Sequence, residues 1–343
     1  MINSSDVIIL FGGASSERMV SVASAQHVSS IIPQATLWFW SADGKVLDVV
    51  SEELSRHDQP FIKEFVPSKG RKIAECIEDA IKLIKGQTVY LALHGGDGEN
   101  GWLQERLERH GVCFTGSSAE SSSNAMDKIK AKEKVRVRGV LTAAQHVFHV
   151  NAAGALAGLK TFMESVGSLV VKPASDGSSA GLAFLETKTD CDAWFANNRD
   201  SPLQWLAEER LIGRELTVGV MSQYGCLMAL PPSEVILDRG SHFDYQGKYL
   251  GVGNREVTPA ELSVAQAAAA QAVAVLAHDA LGCFGYTRTD MIMTAKGFYY
   301  LETNTLPGMT KASFIPQQLR AAEIGIDDFV AGQIRLAKLR FKI

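Results

Sequence analysis

The sequence lacks any pairing pattern among its cysteines. Five occur in 343 residues, Cys76, Cys113, Cys191, Cys226 and Cys283, scattered and with no CxxC. That argues against a disulfide framework and points to a reducing, cytoplasmic setting. An excess of positive charge is also missing. Lys plus Arg number 34 against 38 Asp plus Glu, for a net charge of −4, so no nucleic-acid partner is expected. No long unbroken hydrophobic run exists. The most apolar stretch, Val264 to Gly285, carries Gln266, Gln271, His278 and Asp279. It reads as a buried or half-buried helix, and no membrane association is expected. The start of the chain shows neither a cationic region nor a long apolar one, so no secretory signal is expected. The phosphate-binding pattern GxxxxGK[ST] is absent, and GxGxxG does not follow the first strand. A nucleotide site in this chain must be of another type.

What is present is ordinary for a globular protein: 46% hydrophobic and 21% charged residues. At roughly 150 residues per domain, the length predicts two to three domains with cores large enough to fold without staples. The first third alternates strand and helix. Val7 to Phe11 reads as a strand, Ser15-Ser16 as a helix cap and Glu17 to Ile31 as a helix. Ala35 to Trp40 reads as a second strand, Ile73 to Ile84 as a helix and Thr88 to Leu93 as a third strand. Such alternation predicts an open parallel sheet, with ligands beyond the carboxyl ends of its strands. Gly12-Gly13 and His94-Gly95-Gly96 fall at those ends.

The polar run Ser117 to Ser123 marks a boundary, and Arg210 to Arg214 a second. The expected division is 1–119 as an amino-terminal domain with a parallel sheet, 120–210 as a central segment and 211–343 as a carboxyl-terminal domain. In the central segment a helix is expected around Lys128 to Val140, with strands near Ser168–Lys172 and Leu182–Glu186. Phe284 to Met293 and Phe298 to Asn304 read as the two strands of a hairpin.

That hairpin carries the strongest chemical signal. Glu302 and Asn304 are two apart on one strand and share a face. Asp290 lies on the preceding strand, where a loop of odd length would set it opposite Glu302. Two carboxylates and one amide oxygen suit a hard cation such as Mg²⁺ that also takes phosphate oxygens. Further on, Ser313 is a candidate helix cap, leaving the amides of Phe314 and Ile315 for a carboxylate or phosphate. The loop Lys172 to Gly181 is rich in Gly and Ser, as a phosphate-wrapping loop would be. The stretch His94 to Gly101 holds four glycines, allowing close approach of a ligand to backbone. No second His or Cys stands at zinc spacing from His94. Glu17 in a first helical turn is explained equally by the helix dipole. The polar segment Ser241 to Val257, with Gly247, Gly251 and Gly253, reads as a lid.

In order, these motifs closely resemble the D-alanine–D-alanine ligases of the ATP-grasp superfamily. The resemblance spans nearly the whole chain. It runs from Leu10-Phe11-Gly12-Gly13 with Ser15 and Glu17, through His94 to Gly101, Ala125-Met126-Asp127-Lys128, Lys172-Pro173 and Gly177-Ser178-Ser179. Glu208, Gly213-Arg214-Glu215, Asp244-Tyr245, Lys248-Tyr249, Arg288-Thr289-Asp290 and Glu302 to Thr310 with Ser313 complete it. The resemblance implies a three-domain α/β ATP-grasp ligase, with two α+β domains clamping the nucleotide. It implies ATP-dependent joining of two D-alanines through an acylphosphate, for peptidoglycan precursor synthesis, by a cytoplasmic homodimer.

The resemblance also assigns roles. Lys128 would meet phosphate, Lys172 adenine, Glu208 and the Leu211 backbone the adenine edge, Glu215 the ribose and Lys248 the phosphates. Asp290, Glu302 and Asn304 would hold Mg²⁺ or Mn²⁺, as two ions. Arg288 and the Gly308 amide would stabilise the oxyanion of the tetrahedral intermediate. Glu17 would hold the first ammonium, with Ser178 and Tyr249 as its hydrogen-bonding partners, and His94 would line the substrate site. Ser313 and Phe314 would receive the second substrate's carboxylate. Departures from the family pattern stand at Met19, Glu105, Thr287, Thr289, Thr303 and Phe314. They remove no reacting group but leave the acceptor open. Two rival readings remain: a ligase with D-lactate or another small amino acid as acceptor, against which Tyr249 speaks, and a catalytically silent nucleotide-binding protein, against which Arg288 speaks.

Overall fold

A computed structural model describes residues 6–175, 181–223, 225–237 and 253–342. Ser178, Lys248 and Tyr249 lie outside the described residues, as does the expected lid up to residue 252.

The first sheet is built on a strand that is apolar at nearly every position. β1 (Val7–Gly12) is buried throughout, as expected of a strand covered on both faces. Around it lie β2 (Thr36–Trp40), β3 (Val46–Val49), β4 (Arg71–Ala74), β5 (Thr88–Leu91) and β6 (Cys113–Phe114), in the order β4-β3-β2-β1-β5-β6. β2, β1, β5 and β6 run parallel, as expected. β3 and β4 are antiparallel additions at one edge.

The expected helix Ile73 to Ile84 is divided between β4 and a short helix, Ile77–Lys82. Edge pairing with β3 takes Ile73 and Ala74 into the sheet. Glu78 and Asp79 then favour a helix start just after Cys76, and Lys82 favours its end. The helix Arg18–Ile31 packs Val20, Val22, Ala25 and Val28 against the sheet. Its cap position is Glu17 and not Ser15-Ser16. Ser15 Oγ instead accepts from Glu17 N at 2.9 Å and donates to His94 O at 2.7 Å.

A second sheet, entirely antiparallel, contains β8 (Gln145–His149), β9 (Leu169–Pro173), β10 (Ala183–Leu185) and β11 (Gln204–Glu209). The third has β7 (Leu141–Thr142), β12 (Arg214–Gln223), β13 (Cys226–Ala229), β14 (Ser233–Leu237), β15 (Asn254–Val257), β16 (Tyr286–Thr294) and β17 (Gly297–Asn304). Residues 119–142 therefore go with the carboxyl-terminal sheet. β7 pairs with β17, and Ala125, Ala131 and Val135 share a core with Ala277 and Tyr300. The far end of the expected lid, β15, is an edge strand paired to β14.

One core runs from the first sheet into the third. Phe11 and Val22 cluster with Met221, Tyr286, Leu319, Phe329 and Ile334. The last helix, Ile326–Phe341, thus returns to the amino-terminal part. Its Arg340 donates to Gly116 O at 2.8 Å and Phe114 O at 3.0 Å, amid the rings of Phe114, Phe284 and Phe341 at 4.4–4.9 Å. Arg340→Ala is expected to cost about 2–4 kcal/mol, from two charge-assisted bonds and the ring contacts. Urea unfolding measures this. A loss under about 1 kcal/mol would show that the guanidinium does not hold the helix to the Phe114–Gly116 link.

Candidate active site

The strand order reverses at β1. Its neighbours β2 and β5 are reached in opposite directions, which opens a crevice beyond the carboxyl ends of β1 and β5. The chain after β5 supplies His94 and Gly95, and the turn after β1 leads to Glu17. Gly95 has φ +64°, and a Cβ there would lie 2.5 Å from Glu17 Oε2. Only glycine lets this backbone pass so close to the carboxylate. Glu17, His94, Lys128, Arg288, Asn304 and Gly308 all line one pocket.

The hairpin β16–β17 forms the opposite wall. Its turn holds two residues, Ala295 and Lys296, between the paired Thr294 and Gly297. That loop is even, against the odd loop considered from sequence, and by itself would set Asp290 opposite Leu301. A bulge in β17 intervenes: Met291 pairs with Tyr300, yet Asp290 pairs with Glu302. The one-residue slip flips the remainder of the strand relative to β16. Arg288 pairs with Asn304, so Arg288, Asp290, Glu302 and Asn304 share one face.

Asp290 is held from several sides. Thr217 Oγ1 donates to Oδ1 at 2.5 Å. Arg288 donates through Nε to Oδ1 at 2.9 Å and through Nη2 to Oδ2 at 2.8 Å. Asn304 Nδ2 lies 3.4 Å from Oδ2. Glu302 faces Lys128, with Oε2 3.7 Å from Nζ. Among the described residues no group of three or more His, Cys, Asp or Glu gathers for a metal. The donors here are two carboxylates and one amide beside cationic side chains. That set is too weak for a free-standing cation cage, but it fits a hard cation sharing phosphate oxygens.

Behind this face lie the lysines. Asp127 caps the helix Lys128–Val137 by accepting from Ile129 N and Lys130 N, both at 3.1 Å, which sets Lys128 in the first turn at the pocket. Lys172 on β9 reaches Glu208 on β11, Nζ to Oε2 2.5 Å. Glu208 is only 3% exposed. Leu211 lies in the link from β11 to β12, and Glu215 is the second residue of β12. The sheets thus bring Lys128, Lys172 and Glu208 to one side of the third sheet's hairpin.

At the other end, Ser313 occupies the cap position of the helix Phe314–Ala321, but its hydroxyl makes no capping bond. The third helical residue is Pro316, which has no N–H to give. Ser313 Oγ instead bonds Thr310, accepting from N at 3.1 Å and lying 2.8 Å from Oγ1. It also sits 2.7 Å from where a Gly308 Cβ would be, so a side chain there would collide with it. Phe314 lies under the Arg288 guanidinium, 5.8 Å from the ring centre.

Comparison with known proteins accords with this geometry. Residues 6–117 match the family model described as D-ala D-ala ligase N-terminus, and residues 158–335 the one described as D-ala D-ala ligase C-terminus. The chain belongs to the D-alanine–D-alanine ligase family. A D-alanine–D-alanine ligase of Rhodospirillum rubrum is 34% identical, covering 97% of this chain and 98% of its own. One from Leptospira interrogans is 30% identical with the same coverage. Among solved structures, a D-Ala:D-Ser ligase of Enterococcus faecalis aligns with TM-score 0.80 and 26% identity over 96% of this chain and 98% of its own.

Three groups of this ligase have no place in the sequence reading. Lys132, one helical turn beyond Lys128, is fully buried and pairs with Glu208. Burial and the neighbouring cations Lys172, Lys128 and Arg136 hold its ammonium well below the ordinary lysine range. Its spacing of four from Lys128 was the available signal, but the run Lys128 to Lys134 reads as a solvated charged face. Ser24 and Glu99 are the other two. His94 Nδ1 lies 2.7 Å from Leu306 O, a pure acceptor, so Nδ1 carries the proton. Nε2 then accepts from Ser24 Oγ at 2.8 Å, while Ser24 accepts from Met309 N at 3.1 Å. Burial lowers the His94 pKa, in keeping with this neutral ring.

Burial pushes Glu99 up to about 7, with Glu17 acting the same way, against N–H donors from Leu306 and Gly95 and the Arg288 charge. The folded carboxyl binds its proton more tightly than the unfolded one. Its contribution to stability is therefore complete below about pH 4.5 and is lost as pH rises through about 7. Glu99→Gln lacks this titration. Between pH 4.5 and 7.5 the stability of the parent relative to the variant should fall by about 3 kcal/mol. Urea unfolding across that range at fixed ionic strength checks it, and a constant difference would contradict it.

Proposed function

We propose that this enzyme joins two D-alanines into D-alanyl-D-alanine, using ATP, as a step toward peptidoglycan precursors. The observation that carries the reading is the single pocket in which Glu17, Lys128, Arg288, Glu302, Asn304 and Gly308 meet. A carboxylate oxygen of the first D-alanine attacks the γ-phosphorus of ATP, giving an acylphosphate and ADP. The amine of the second attacks the carbonyl carbon, loses a proton, and phosphate leaves with the carbon–oxygen bond. Glu17 orients the first ammonium. Lys128 and Lys172 hold the nucleotide's phosphate and base ends, Glu208 and Leu211 its base edge, and Glu215 its ribose. Bound at Asp290, Glu302 and Asn304, Mg²⁺ or Mn²⁺, read as two ions, would offset phosphate charge during transfer. The Arg288 guanidinium and the Gly308 amide donate to the oxyanion. Ser313 and Phe314 receive the acceptor's carboxylate.

A catalytically silent binder has no use for an arginine on the metal-facing side of the hairpin. Free cysteines support a cytoplasmic location, and among the described residues no helix is long and apolar enough to cross a membrane. The homodimer is read from the family alone, and sedimentation tests it. Phosphate release on adding ATP and D-alanine, with mass spectrometry of the product, tests the main reading. The likeness to a D-Ala:D-Ser ligase favours D-serine as a second acceptor to try, beside D-lactate. Preferred formation of D-alanyl-D-serine or of the depsipeptide would replace D-alanine as acceptor and leave the chemistry standing.

A further inference from the structure

The loop after β17 carries the Gly308 amide, yet its shape is fixed from another part of the chain. Residues 305–309 are held by side chains of the amino-terminal third. Glu99 Oε1 accepts from Thr305 N and from Leu306 N, both at 2.9 Å. Its other oxygen, Oε2, accepts from Gly95 N at 3.0 Å. His94 donates to Leu306 O, Ser24 accepts from Met309 N, and the His27 ring lies 2.7 Å from Met309 O. Pro307 can contribute no N–H of its own. Glu99 is 7% exposed, and all three of its donors are backbone amides.

We infer that Glu99 is a positioning residue: its buried carboxyl group ties the Gly95 turn to Thr305–Leu306 and so fixes where the Gly308 amide points. The inference rests on the ligase reading for its kinetic part and on geometry for its structural part. Three N–H groups converge on one carboxyl, and two of them belong to the loop. A carboxyl group, ionised or protonated, keeps acceptor lone pairs on both oxygens, whereas an amide offers them on one atom only. Glu99→Gln therefore keeps the Thr305–Leu306 contact only by turning its NH₂ toward the Gly95 N–H, or the reverse. A hydrogen-bond donor misplaced by about 1 Å loses much of its effect on a reacting centre, although substrate still binds. The charged groups facing Glu99 are Glu17 and Arg288, and the neutral His94 ring lines the same pocket. None of them replaces its bonds to the loop.

The test uses Glu99→Gln and the apolar Glu99→Met in the full chain. Amide exchange is followed over residues 305–310, and steady-state kinetics with ATP and D-alanine are measured alongside. The expected result for Glu99→Gln is at least tenfold faster exchange in that segment and at least tenfold lower kcat, with KM for ATP within about twofold. Glu99→Met should fall further in kcat. Where Glu99→Met fails to fold, Glu99→Gln alone decides. Unchanged exchange at 305–310, or a kcat within twofold of the parent, overturns the inference. So does a kcat loss matched by an equal loss of ATP-binding sites, which would report misfolding. If the unaltered protein forms no dipeptide with any D-amino acid while exchange still rises in the variant, the ligase reading fails and the tie itself stands.

Discussion

Glu302→Gln is expected to lose turnover by about a hundredfold or more at saturating Mg²⁺, with ATP binding weakened far less. Glu302 stands directly opposite Asp290 on the hairpin, and its carboxylate faces Lys128 across 3.7 Å. The variant keeps the shape of the side chain and removes one negative charge. On the proposed assignment, a cation shared with phosphate would lose an anionic ligand that matters most while phosphate charge is shifting, an effect worth about several kcal/mol. Each 1.36 kcal/mol is a factor of ten in rate. On the proposed assignment, ground-state binding also uses the lysines and the Glu208 region, so it should survive better. Single-turnover ADP formation and calorimetric nucleotide binding separate the two effects. Turnover equal to the parent's at saturating metal would remove Glu302 from the metal assignment.

Arg288→Ala should fold with little change in melting temperature and lose about a hundred- to a thousandfold in rate, or about 3–4 kcal/mol, as for a lost oxyanion donor. The structure adds a competing explanation that the experiment must exclude. Arg288 makes a two-pronged bond to Asp290, so its removal also frees that carboxylate. Thr217 and Asn304 continue to hold Asp290, at 2.5 and 3.4 Å. Asp290 should therefore keep its place in the variant. Arg288→Lys should rescue poorly, because an ammonium lacks the planar fork. If the apparent affinity for Mg²⁺ collapses in Arg288→Ala while the rate at saturating metal recovers to within tenfold, Arg288 serves Asp290 and not the oxyanion.

Much of this was local enough to read directly. The parallel centre of the first sheet followed from an unbroken apolar strand and its alternation with helices. The glycine turns after β1 and β5 followed from position at strand ends. The shared face of Glu302 and Asn304 followed from the two-residue period of a strand. Local patterns failed where a neighbour from elsewhere in the chain outbid them. The stretch 73–84 has helical spacing, but pairing with β3 drew its beginning into the sheet. Ser313 has the residue type of a helix cap, but Pro316 left it no third amide and Thr310 took its hydroxyl.

The chain alone determined which reactive groups exist and which of them sit side by side along a strand or in a turn. Only the tertiary structure decided which groups meet across distance. The bulge at Leu301 turned Asp290 toward Glu302, although the two-residue turn by itself sets it opposite Leu301. Burial made Lys132 the partner of Glu208 instead of a solvated lysine. The contact of Glu99 with Thr305 and Leu306 spans about two hundred positions in sequence. Helical and strand periods govern the environment of near neighbours, because backbone geometry repeats over a few residues. Register slips and contacts between distant segments depend on how whole sheets and helices pack, and no short window of sequence carries that information.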